Sequence, residues 1–72
     1  MDLNSLYEQG EGLYNNKLYT KAKSYLIQAR NSAIQMQKIV QHDVFIFEFV
    51  KKCECLIGKC QANLEDRVGK YI

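Results

Sequence analysis

Three cysteines and one histidine carry most of the reactive chemistry in this 72-residue chain. Cys53, Cys55 and Cys60 lie within eight residues of one another, and His42 precedes them. Tetrahedral zinc needs four converging ligands, commonly in two closely spaced pairs. On a helix, Cys53 and Cys60 share a face, Cys55 points elsewhere, and His42 lies about three turns upstream of Cys53. The spacing therefore reads as cysteines packed as small hydrophobes rather than as a metal centre. A nucleophilic cysteine would need the imidazole within hydrogen-bond reach, and the same separation argues against it. The carboxylates offer no acid–base pair, because Glu8 and Glu11 share an exposed face and Glu65-Asp66 marks a solvated helix end. Gly10 and Gly12 fall inside a helical stripe and follow no strand, unlike a phosphate-binding loop. The expectation is a chain that is not an enzyme and holds neither metal nor cofactor.

If the chain does no chemistry, its work must lie in its surfaces, and composition limits what those can be. One small domain spanning residues 1–72 is all the length allows, and such a domain buries only about 60% of the surface its unfolded chain exposes. Hydrophobic residues make up 47%, there is no proline, and only four glycines occur. That balance favours long helices over a turn-rich β-fold. Ten basic against eight acidic residues leave a net charge of +2. The basic residues are scattered, with modest clusters at Lys17, Lys21, Lys23 and at Lys51-Lys52. They read as solvated helix faces and not as the concentrated footprint of a nucleic-acid binder. An odd number of closely spaced cysteines fits free thiols in a reducing, cytoplasmic compartment. The start is polar, without a signal-peptide pattern. The longest apolar run, Val44 to Val50, is broken by Glu48 and far too short to span a bilayer.

Apolar periodicity organises the chain into three helices. The first is expected from Leu3 to Tyr14, with Leu3, Leu6, Tyr7, Gly10, Leu13 and Tyr14 on one face. Asp2 or Asn4 can cap it, Ser5 with Glu8 offers a capping box, and Asn15-Asn16 suit the left-handed turn that ends it. The second should run from Leu18 or Tyr19 to about Val40. Its stripe is Tyr19, Ala22, Leu26, Ala29, Ala33, Met36 and Val40, with Tyr25, Ile27 and Ile34 on a shallower line. Being longer than the first, it needs a further partner for its C-terminal half. Gln41, His42 and Asp43 form the next break, with Asp43 as N-cap.

Val44 to Val50 is rich in strand-forming residues. A lone strand would have no partner, however, and Ile46, Phe49, Val50, Cys53, Leu56, Ile57, Cys60 and Leu64 continue at helical spacing. The third helix is therefore expected from Asp43 to about Arg67, with fraying over Val68 to Ile72 and a natural stop at Gly69. The fold class is all-α, an antiparallel three-helix bundle. Gly10, Ala22 and Ala29 are the small residues that let the first two helices approach closely. Phe49 belongs to the core stripe. Phe45 and Phe47 are left uncommitted beside Val44, either packing over the end of the second helix or forming an apolar patch for a second partner or another copy.

The chain resembles the MIT (microtubule interacting and trafficking) domain, a three-helix module of trafficking ATPases, proteases and kinases. Gly10, Tyr19-Thr20-Lys21-Ala22, Tyr25-Leu26 and Ala29, together with Lys52-Cys53-Glu54-Cys55-Leu56-Ile57-Gly58-Lys59-Cys60-Gln61, carry the likeness over Leu3 to Leu64. The hairpin also resembles a tetratricopeptide repeat through Gly10, Tyr19, Ala22 and Ala29, but one long third helix fits MIT better. The MIT resemblance implies a targeting module of a larger protein. Such a module docks a short motif, such as an ESCRT-III-type C-terminal tail, between helices two and three or one and three. It also implies a cytoplasmic protein recruited to endosomes or other membranes, with no membrane insertion of its own and no nucleic-acid partner. Carried over by position, Ile57 would be an apolar groove contact, and Leu56, Cys60 and the flanking Lys59 would join it. Gln61 stands where many relatives have Glu, so the common acidic groove lacks its carboxylate here. A TPR-like helical cap, or a microtubule-binding relative needing a basic face and showing steep salt dependence, are the alternatives.

Overall fold

The computed structural model describes residues 2–40 and 43–69, with side chains in the second segment as far as Glu65. Three helices follow in order: α1 (Leu3–Asn15), α2 (Tyr19–Ile39) and α3 (Val44–Gly69). They form an all-α antiparallel three-helix bundle, with no strand among the described residues. α2 is the middle element, packed against both neighbours, whereas the α1 and α3 backbones approach each other at few places.

Each helix end has a local cause. Asp2 caps α1, its carboxylate accepting from the Ser5 N–H at 2.8 Å, so the first of the three candidate caps is the one used. At the other end the Leu18 N–H reaches the Leu13 carbonyl and the Lys17 N–H that of Tyr14, both at 2.9 Å. These two bonds make a Schellman motif. The left-handed residue is Lys17, at φ 65°, and not Asn15 or Asn16 as the sequence suggested. Asn15 remains helical and Asn16 sits at φ −88°. Tertiary packing sets the point of reversal: the Tyr14 and Tyr19 rings meet edge to face at 5.6 Å across it. Asp43 caps α3, accepting from the Phe45 N–H at 2.9 Å. The expected His42 position lies outside the described residues, as do Gln41 and the tail from Lys70 to Ile72. α3 itself runs to Gly69, past the expected Arg67.

The strand-prone opening of α3 is helical because Ile46, Phe49 and Cys53 then bury together against Ala29, Ala33 and Leu6. A second cluster joins Ala22, Leu26, Leu56 and Cys60. Tyr7 packs on both clusters. Its ring meets Phe49 edge to face at 5.9 Å, and the Lys52 ammonium sits 4.1 Å from the Tyr7 ring centroid and 5.3 Å from that of Phe49. Lys52 is thus a cation–π clasp between α1 and α3 as well as a solvated charge.

The expected stripe of α2 holds through Ala33 and then fails, because Met36 and Val40 are exposed. The reason is length. Gly10 faces Ala22 and Leu26, and in that antiparallel register Leu3, the first residue of α1, comes level with Ser32 and Gln35. The last turns of α2 project past the end of α1.

Candidate functional site

The cysteines divide as the helical period requires. Cys53 and Cys60 are fully buried, one in each core cluster, and Cys55 is exposed. Burial pushes both buried thiols above their ordinary value, against the opposing pull of Lys52 and Arg30 at Cys53 and of Lys23 at Cys60. A catalytic thiol needs the reverse shift. Among the described residues no group of three His, Cys, Asp or Glu is placed to hold a metal ion. Burial, and after it Glu11, likewise raises the Tyr7 hydroxyl.

The docking residues expected on α3 separate onto different faces. Leu56 and Cys60 point into the core. Lys59 is exposed, its backbone carbonyl accepting from Asn63 Nδ2 at 2.8 Å. Ile57 and Gln61 are half-buried at the junction with α2. There Gln61 Oε1 accepts from Lys23 Nζ, and Gln61 Nε2 donates to Glu65 Oε1 at 3.1 Å. The amide standing where a carboxylate was expected is a link between α2 and α3.

That link fixes a register. Lys23 meets Gln61 at one end of the α2/α3 seam, and Gln37 shares a depression with Phe47, Val44 and Asp43 at the other. Between these anchors, helical steps of three and four place Ile27 opposite Ile57, Arg30 opposite Glu54, and Ile34 opposite Val50. Ile27, Ile34, Val50 and Ile57 are each half-buried, so a line of aliphatic edges stays open to solvent. In its middle, Arg30 Nη2 donates to Asn31 Oδ1 at 3.3 Å, while Arg30 Nε is buried with no hydrogen-bond partner among the described residues. A buried donor left open costs about 1–3 kcal/mol.

A second apolar surface lies where α2 overruns α1. Leu3, Met36, Ile39, Phe45, Ile46 and Phe49 line most of an open groove of about 580 Å³. Phe45 and Phe47 are both exposed, as one of the two sequence readings had it, but they serve different faces. Phe45 borders this groove, whereas Phe47 lies at the seam end beneath the Lys51 ammonium, 4.8 Å from its ring centroid. Met36 and Ile39 were not among the expected site residues. The signal for them was the excess length of α2 over α1.

Among known proteins, no family description, no curated sequence and no solved structure matches this chain.

Proposed function

We propose that this domain is a protein-interaction module that seats an amphipathic helical segment of a partner along the α2/α3 seam. The observation that carries the reading is the line of half-buried aliphatics with the half-buried Arg30 guanidinium at its centre. Helix-in-groove recognition uses apolar anchors at three- and four-residue spacing and polar groups to set register. The Ile27/Ile57 and Ile34/Val50 steps are about 10 Å apart, two helical turns, which is the separation of i and i+7 anchors on a docked helix. A carboxylate between those anchors would pair with the outward-facing edge of the Arg30 guanidinium, where Nη2 now meets Asn31.

The MIT resemblance supports a short tail, of the ESCRT-III type, as the partner, and recruitment of an attached domain to trafficking machinery as the outcome. No helix among the described residues is long and apolar enough to cross a membrane. The test is an amide-shift titration of isotope-labelled protein with a panel of ESCRT-III-type tail peptides. Saturable shifts at Ile27, Arg30, Ile34, Val50 and Ile57, abolished by Ile57→Asp in a protein that stays helical, are expected. A folded protein whose seam resonances do not move with any peptide overturns the reading.

A further inference from the structure

We propose that two copies of this chain associate through the groove at the far end of α2, each placing Phe45 in the groove of the other. This surface is distinct from the α2/α3 seam, so the proposal does not depend on the docking reading. Three observations lead to it. The first is shape. Phe45, highly exposed, borders both the 580 Å³ groove and a smaller depression of about 190 Å³ lined also by Glu48 and Lys52. A knob beside a hole on one surface is what a two-fold interface requires, because each copy then supplies both parts.

The second is area. Ile39 is 84% exposed, Phe45 77% and Met36 44%. These three exposed side chains, beside Leu3 and the edge of Phe49, form one contiguous apolar patch of the kind that marks an interaction site. A standard interface buries about 800 Å² per partner, so these residues form the apolar centre of the contact and the flanking polar residues of α1, α2 and α3 its rim.

The third is charge. Asp2 lines the groove, and Glu48 and Lys52 line the depression next to it. A rim with both signs can meet itself across a two-fold, with Lys52 of one copy facing Glu48 of the other. An anionic membrane would instead select a basic rim.

The test is sedimentation equilibrium of the whole chain, with helicity followed in parallel. The expected result is reversible doubling of the 8.4 kDa mass, with a dissociation constant on the order of 10 μM. Phe45→Asp and Ile39→Asp should each weaken it at least ~10-fold, by placing an unpaired charge in the contact, without loss of helicity. Phe47→Ser, on the other face of α3, should leave it unchanged. Isotope-filtered contacts between the Phe45 ring of one copy and the Met36 and Ile39 methyls of the other should appear in the unaltered chain, and they decide the matter if the variants misfold. A single 8.4 kDa species at about 1 mM overturns the proposal. So does a dimer indifferent to Phe45 and Ile39, or a monomer that binds lipid vesicles through Phe45.

Discussion

Gly10 of α1 lies directly against Leu26 of α2: a Cβ on Gly10 would fall 2.8 Å from Leu26 Cγ and 2.9 Å from Cδ2. Leu26 is fully buried and has nowhere to withdraw. A Cβ at Gly58, in mid-α3, would meet nothing within 4 Å. Both positions are helical, so alanine gains about 1 kcal/mol of helix propensity at each. At Gly10 overpacking costs about 1–3 kcal/mol and outweighs that gain. Gly10→Ala should therefore lower stability by about 1 kcal/mol and Gly58→Ala raise it by about 1 kcal/mol, shifts of about 4–8 °C in opposite directions for a domain of this size. Thermal melts of the two variants check this, and shifts of the same sign would show that α1 and α2 do not approach so closely.

The Schellman turn makes a second stability prediction. Lys17 holds φ 65° with its side chain exposed. The left-handed region costs a residue with a Cβ about 1–2 kcal/mol, and glycine is the usual occupant of this position. Lys17→Gly should stabilise the fold by about 1 kcal/mol, while Asn16→Gly should not, since Asn16 already has an ordinary negative φ. Urea midpoints of the two variants, read by circular dichroism, distinguish them.

How far the sequence revealed all this depends on which interactions lie along one helix and which lie between helices. The buried faces of α1 and α3 were legible from period alone, and Ile46, Phe49, Cys53, Leu56 and Cys60 are the residues the core uses. Even the strand-prone run from Val44 was readable, because its helical spacing continues past Val50. The turn at Lys17 was not, since two asparagines beside it have the better local preference and a tyrosine pair decides against them. Met36 and Val40 continue the α2 stripe in sequence but have no α1 beneath them. The seam was the least visible. Whether Gln61 faces Lys23 or a partner depends on the axial offset of two helices, which neither helix encodes alone. For the same reason Ile57 and Leu56, adjacent in sequence, separate onto seam and core.

Cysteine chemistry reports on both the core and its pH dependence. Cys55 should react with a thiol reagent at the rate of an exposed cysteine, and Cys53 and Cys60 only on the timescale of opening. Both buried thiols have pKa values raised above 9.0 in the folded state by burial. The unfolded chain then ionises first, so their contribution to stability is complete below pH 9 and is lost as pH rises through the raised values. The urea midpoint should be level between about pH 7 and 8.5 and fall steadily above about 9. A double Cys53→Ala, Cys60→Ala variant, less stable throughout, should show a shallower fall, leaving the part due to Tyr7. A midpoint that rises with alkalinity would contradict the buried positions of these thiols.

Arg30 separates docking from folding. Its Nε is buried without a partner among the described residues and burdens the free domain, whereas Nη2 on the exposed edge can receive an arriving acceptor. Arg30→Met keeps an apolar stem in the seam and removes the donor. The free variant should exceed the parent in stability by about 1 kcal/mol, because the cost of the open Nε donor is relieved and only the exposed Arg30–Asn31 hydrogen bond is lost. Its affinity for a tail peptide carrying a carboxylate between two apolar anchors should fall about 10-fold or more, the loss of one hydrogen bond to a charged group worth about 1.5–3 kcal/mol. A matched peptide with the carboxylate replaced by alanine should bind parent and variant alike. Calorimetric titration of both proteins with both peptides gives the coupling directly. A variant that loses stability while keeping peptide affinity would make Arg30 a structural residue and move the recognition of any partner elsewhere on the surface.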